Sequence, residues 1–247
     1  MWQNGVMQDL GTGFGPNGFS LAWGINNTSI IVGQHHATQS APKRAFLWRG
    51  GFFRDLGTLG GETTLPFATN SIAYDINNLN QVVGVARTSP GALHGFLFQN
   101  GVMQDLGTLG NDIDATQAFA INNLSQVVGS SPIAGDGATH AFLWQNGVMQ
   151  DLGTLGGTFS QASDINNHTQ VVGSAYPQGS SFPHAFVWEN NQMTDLNQVT
   201  KGIPAGLVLQ TAQAINDNGY IVGNTCGILC EPGATPLARA FLLVPMN

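Results

Sequence analysis

The segment HAFLWQNGVMQDLGTLGG, residues 140–157, recurs with small changes along the whole chain, and this repetition constrains the fold more than any single residue does. Its copies are WQNGVMQDLG at 2–11, WRGGFFRDLGTLGG at 48–61, FQNGVMQDLGTLG at 98–110, WQNGVMQDLGTLGG at 144–157 and a worn WENNQMTDL at 188–196. The opening aromatic therefore returns after 46, 50, 46 and 44 residues. A second block alternates with the first: AWGINNTSIIVG, AYDINNLNQVVG, AFAINNLSQVVG, ASDINNHTQVVG and AQAINDNGYIVG. Periods of this size belong to stacked or radial arrays of one supersecondary unit. One unit cannot bury its apolar face alone, whereas a row of neighbours can.

Each unit reads as four short β-strands. In the third, ATQAFAINN, QVVGS, HAFLWQ and VMQDLG supply strands A to D, rich in strand formers and separated by turn residues. Asn146-Gly147 and Asn100-Gly101 mark two-residue hairpins between C and D, because a type I′ turn needs positive φ at both positions. The INN segment turns A into B through Asx side chains, and Gly-Thr-Leu-Gly-Gly carries the chain to the next strand A. Such units predict an all-β, five-bladed β-propeller of four-stranded antiparallel blades. Strand A is expected innermost, where Ala22, Ala73, Ala118, Ala162 and Ala212 suit a close approach to the axis. The chain finishes on a strand C, RAFLLVPMN, and opens on a strand D, WQNGVMQDL, so the N-terminal strand 3–10 is expected to complete the last blade. Residues 1–247 then form a single domain with repeats at about 11–56, 57–106, 107–152, 153–196 and 197–247.

Composition narrows the partners. Only 9% of residues are charged, against about a quarter in ordinary globular proteins, so the surface is built from neutral hydrogen-bonding groups. A net charge of -7 and seven scattered basic residues exclude a phosphate-backbone binder, which needs clustered cations. No apolar run is long enough for a membrane span, and no signal peptide is visible. The cysteines, Cys226 and Cys230, fit a local disulfide across a turn and hence an oxidising compartment; without a nearby histidine they make a poor metal site.

The His-Ala-Phe strand, the NGVMQDLGTLGG hairpin and the INNxxQVVG block together resemble the HAF repeat family over essentially the whole chain. The resemblance implies a bacterial protein that is secreted or on the cell surface, and it implies no activity or site residue. This chain departs from the pattern at Gly11–Pro16 and where Asn197–Gly202 replaces the Gly-rich crossing.

Every strand D carries an aspartate, Asp9, Asp55, Asp105, Asp151 or Asp195, and every strand C begins with a donor, Arg44, His94, His140, His184 or Arg239. Counting back from the turn places Phe142 opposite Asp151 with His140 one diagonal step away, within side-chain reach. Arg replaces His in two units, so the need is a donor toward the carboxylate, and these are expected to be structural pairs. Asn26, Asn77, Asn122, Asn166 and Asn216 are expected to close the A to B turns. Asp75 and Asp164 break the symmetry near the axis. Trp23, Tyr74 and Phe119 are expected to pack between blades, as are Trp48, Trp144 and Trp188.

The B to C loops vary most, and variable loops on a rigid scaffold are where binding residues concentrate. A ligand is therefore expected there, with His35, His36, Arg87, Asp136 and Tyr176 as candidate contacts. No catalytic constellation, metal set or cofactor motif appears. The expected function is a non-catalytic binding or interaction module, monomeric, for a glycan or protein ligand. A glycoside-cleaving enzyme, which needs two carboxylates facing one cleft, and a purely structural scaffold are the alternatives. The Met immediately before Trp2 is compatible with a domain cut from a longer chain.

Overall fold

The computed structural model describes residues 2–3, 5–111, 115–135, 137–227 and 239–245. It is all-β apart from one helical turn, and it divides into two compact units, 1–106 and 107–247.

The first unit opens with a small hairpin, β1 (Trp2–Gln3) and β2 (Val6–Met7). Two antiparallel four-stranded sheets follow. One contains β3 (Phe19–Ile25), β4 (Ile31–His36), β5 (Arg44–Arg49) and β6 (Phe52–Asp55). The other contains β7 (Ser71–Ile76), β8 (Val82–Arg87), β9 (Leu93–Gln99) and β10 (Val102–Asp105).

The second unit repeats the pattern. β11 (Gln117–Ile121), β12 (Val127–Pro132), β13 (Thr139–Gln145) and β14 (Val148–Asp151) form one antiparallel set. β15 (Gly156–Ile165), β16 (Val171–Pro177), β17 (His184–Glu189) and β18 (Gln192–Asp195) form the next. A turn of helix, α1 (Leu196–Val199), leads to β19 (Leu207–Ile215), β20 (Ile221–Gly227) and β21 (Arg239–Leu243). That last sheet has three strands among the described residues.

The expected hairpins form for the expected reason: φ is 52° and 84° at Asn100 and Gly101, and 53° and 85° at Asn146 and Gly147. The same turn chemistry corrects the reading of the N-terminus. Residues 3–10 are not one strand; Gly5 takes φ 80°, and Val6–Met7 folds back on Trp2–Gln3. Trp2 faces Met7 as Trp144 faces Met149, so β1 and β2 reproduce the end of a C to D hairpin.

Strand A contains a feature the repeat pattern does not display. Its pairing with strand B slips by one residue after the alanine in every sheet, at Ala22/Gly24, Ala73/Asp75, Ala118/Ala120, Ala162/Asp164 and Ala212/Ala214. A bulge of this kind kinks the strand and pushes its backbone toward the partner. The glycine of each VVG or IVG block faces that kink. A Cβ on Gly173 would lie 2.0 Å from the Gln161 carbonyl oxygen, and one on Gly84 would lie 1.9 Å from that of Ile72.

Within each unit the sheets pack face to face. Val32, Ala45 and Leu56 meet Ala73, Ile76, Phe96 and Phe98 in the first unit. Val128, Ala141, Leu143 and Leu152 meet Ala162, Ile165, Phe186 and Trp188 in the second, where Val172, Ala185 and Leu196 also meet Leu209, Ala212 and Ile215. Of the strand A alanines, Ala73, Ala118, Ala162 and Ala212 have no exposed surface, and Ala22 is exposed. The first and last sheets differ. Ile25 is 58% exposed where its counterparts Ile76, Ile121, Ile165 and Ile215 are buried, and Val222 is 44% exposed where Val32, Val83, Val128 and Val172 are fully covered.

Candidate functional site

Arg44, His94, His140 and His184 meet the strand D aspartates at the diagonal spacing counted from the turn. Phe142 pairs with Asp151 in the ladder, and His140 Nδ1 lies 2.8 Å from the Asp151 carboxylate. His94 to Asp105 is 2.9 Å and His184 to Asp195 is 2.7 Å. Arg44 donates its Nε–H to Asp55 and an Nη1–H to Glu62 at 2.9 Å. Four of the aspartates also organise the chain beyond strand D: Asp9, Asp55 and Asp151 accept the N–H two residues on, from Gly11, Gly57 and Gly153. At Asp195 the same bond goes to Asn197 N–H and caps α1, so the altered crossing becomes a helical turn with its cap already in place. Arg239 opens β21.

The asparagines do two jobs. Asn166 Oδ1 accepts N–H bonds from His168 and Gln170, both at 3.0 Å, and so closes the A to B turn. Its Nδ2 donates to Gln170 Oε1 at 2.7 Å and to the Asn216 carbonyl at 3.1 Å, reaching the next sheet. Asn26 reaches the Asn77 carbonyl and Asn122 the Asn166 carbonyl in the same way. The following residue adds a second tie: Asn27, Asn123 and Asn167 donate their N–H to Asn78, Asn167 and Asp217 side chains. Asp164 likewise bridges sheets, accepting from Ile165 N–H and Ile215 N–H, both at 2.8 Å. Asp75 accepts from Ile76 N–H.

The loop candidates fall in different surroundings from those expected, because strand B runs further than the repeat suggests. His35 lies inside β4, 4% exposed, among the rings of Phe14, Phe46 and Phe53. His36 ends β4, stacks on Phe19 at 5.1 Å, and places Nδ1 2.6 Å from the Thr38 carbonyl. Arg87 ends β8 and donates to the carbonyls of Thr69 and Gly91, clamping two loops. Tyr176 is half-buried in β16, edge-on to Phe159. They lie on three different sheets. Asp136, Cys230 and the side chain of Cys226 fall outside the described residues.

Two aromatic series also separate. Trp48, Trp144 and Trp188 are buried as expected. Trp23 at the strand A bulge sets its ring edge-on to Tyr74 of the next sheet, the expected packing between sheets, and stays 57% exposed.

A concave polar surface appears at the other end of the second unit, on the side of the Asn-rich turns. A groove of about 580 Å³ is lined by His168, Glu189, Asn190, Asn191 and Asp217, with Trp188 beneath. Asn190 and Asn191 are exposed at positive φ in the C to D turn. The Asn167 backbone N–H, followed by its side-chain N–H, holds the Asp217 carboxyl below the usual range. Glu189 accepts from Gln170 Nε2 at 2.8 Å. Sequence reasoning missed this groove because its turns look nearly constant. The signal was a variable place in them, occupied by Thr28, Leu79, Leu124, His168 and Asn218. Among the described residues, no three His, Cys, Asp or Glu side chains converge as a metal ligand set.

No family model matches the chain, and no curated protein matches it. The fold is similar to that of TolB from Acinetobacter baumannii. The two align over 84% of this chain and 51% of TolB, with 14% identity and a TM-score of 0.52. This chain thus spans about half the length of TolB. XC5397 from Xanthomonas campestris, a gluconolactonase, aligns over 92% of this chain and 77% of its own, with 11% identity and a TM-score of 0.46. The likeness to TolB shows a β-propeller-like fold and no activity. Among the described residues, no helix is long and apolar enough to cross a membrane.

Proposed function

We propose that the chain is a non-catalytic binding module of the HAF-repeat type, secreted or surface-borne, and that it takes a glycan in the groove beside His168. The observation that carries this reading is the groove itself: an imidazole, two exposed amides and two carboxylates converge over about 580 Å³. Such planar, uncharged or singly charged groups match the alternating donors and acceptors of sugar hydroxyls. Both Asp217 oxygens accept from Asn167, which holds the carboxyl as an anion and leaves it as an acceptor for hydroxyl groups.

The fold that goes with this proposal is a single five-bladed ring, which two observations support. Apolar residues left open on the first and last sheets, Ile25 and Val222 among them, are those that a neighbouring blade covers elsewhere. Leu10 packs with Phe46 and Trp48 as Leu152 packs with Phe186 and Trp188, which is the contact a preceding blade makes.

Glycan-array binding with and without His168→Ala, run alongside a hydrolase screen, tests the function. His168 is exposed and shapes its turn only through its backbone N–H, so the variant keeps the fold. The expected result is sugar binding without turnover, weakened about tenfold by the substitution, equivalent to about 1.4 kcal/mol. Turnover, silence across the array, or unchanged affinity in the variant refutes the reading.

A further inference from the structure

His35 is the buried titratable group that neither the repeat nor the groove explains. It faces Arg44 across the ladder, the position held by Ala86, Ser131, Ala175 and Thr225 opposite the corresponding residues of the other sheets. A small side chain fills that place everywhere else. The crossing before this sheet also departs from the regular Gly-Thr-Leu-Gly of residues 57–60, 107–110 and 153–156, reading Gly11-Thr12-Gly13-Phe14-Gly15. In the neighbouring sheet, Leu59 of the regular crossing shares a core with Ala86. Here glycine stands for that leucine, and the His35 ring fills the space.

The fit is close and dry. The Phe14 ring centre lies 4.5 Å from that of His35, Phe46 lies at 5.5 Å, and Phe53 stacks within 7° at 5.8 Å. A Cβ on Gly13 would come within 2.8 Å of His35 Nδ1, so no other residue fits there without movement. Neither ring nitrogen has a hydrogen-bond partner; the nearby Thr12 backbone does not reach bonding geometry.

We propose that His35 is a pH-sensitive latch: neutral, it packs the crossing 11–15 onto the first sheet, and protonated, it leaves the aromatic cage and releases that crossing. A charged imidazole there has three aromatic rings and Gly13 around it and no acceptor in bonding position. The charged groups that face it are Asp55 on β6, which favours the cation, and Arg44 on β5 and His36 on β4, which oppose it. Asp55 is already committed to Arg44. Burial dominates and lowers the His35 value below the ordinary 6.5. The linkage sign follows: with the released state titrating near 6.5, the closed latch is fully stable above that pH and loses stability as pH falls toward the lowered value.

Native-state hydrogen exchange of the Phe14 and Gly18 amides, which donate to Thr12 Oγ1 and the Gly15 carbonyl, between pH 7.5 and 5, corrected for intrinsic rates, tests the latch. The expected result is a loss of protection of up to about tenfold per pH unit below the unperturbed histidine range, absent in His35→Phe, which keeps a ring without the titration. Flat protection in the wild type, or the same loss in His35→Phe, overturns it. Should the variant not fold, an NMR titration of His35 in the wild-type chain decides: a midpoint at or above the ordinary histidine value also overturns the proposal.

Discussion

Replacing Asn166 by alanine removes four hydrogen bonds at once. Two are accepted by Oδ1 from the His168 and Gln170 N–H groups, and two are donated by Nδ2 to Gln170 Oε1 and the Asn216 carbonyl. The side chain is 3% exposed, so water does not replace those partners freely. At about 0.5 to 1.5 kcal/mol each, the loss is about 2 to 6 kcal/mol, and about 3 kcal/mol lowers Tm by roughly 6 to 12 °C in a domain of this size. Asn166→Asp separates the two jobs. It keeps both acceptor bonds that close the turn and loses both donor bonds, including the tie to the next sheet. Urea unfolding followed by circular dichroism, in parallel with thermal melts, should place both variants below wild type, Asn166→Asp because it also sets a carboxylate oxygen against Gln170 Oε1 and the Asn216 carbonyl. Alanine within about 0.5 kcal/mol of wild type would show that neither set of bonds matters. Equal stability of wild type and Asn166→Asp would sink the role assigned to the inter-sheet tie.

Gly173→Ala places its Cβ 2.0 Å from the Gln161 carbonyl oxygen, backbone that cannot swing aside; a loss of about 3 kcal/mol is expected from such overpacking, and a melt unchanged within error would disprove the bulge contact. Deleting residues 1–10 removes Leu10 from its place against Phe46 and Trp48; calorimetry should show a strong destabilisation if the ring closes as proposed, and an unchanged transition rules that closure out.

Much of the fold was legible because period and turn chemistry are local. The Asn100-Gly101 and Asn146-Gly147 hairpins follow from two residues that accept positive φ, and once the turn is fixed the register places His140 beside Asp151 by counting. The same rule misread the N-terminus only because it was not applied there: WQNGVM carries its own turn, and Gly5 uses it. The candidate site was less legible. His35 and Arg87 follow the VVG block as though they began a loop, yet strand pairing continues through them, since the partner strand C offers a free edge as far as Arg44 and Leu93.

The sequence by itself determined the repeating unit, its four strands, the hairpin turns and the spacing of the donor and aspartate pairs, all set by backbone preferences over a few residues. Only tertiary structure decided what the unit's polar residues face. The second bond of Asn166, the bulge that makes the VVG glycine obligatory, the aromatic cage around His35 and the groove beside His168 each depend on residues about ten to fifty positions apart in the chain. Contacts of that kind are fixed by packing one sheet against the next, and a local pattern carries no record of them.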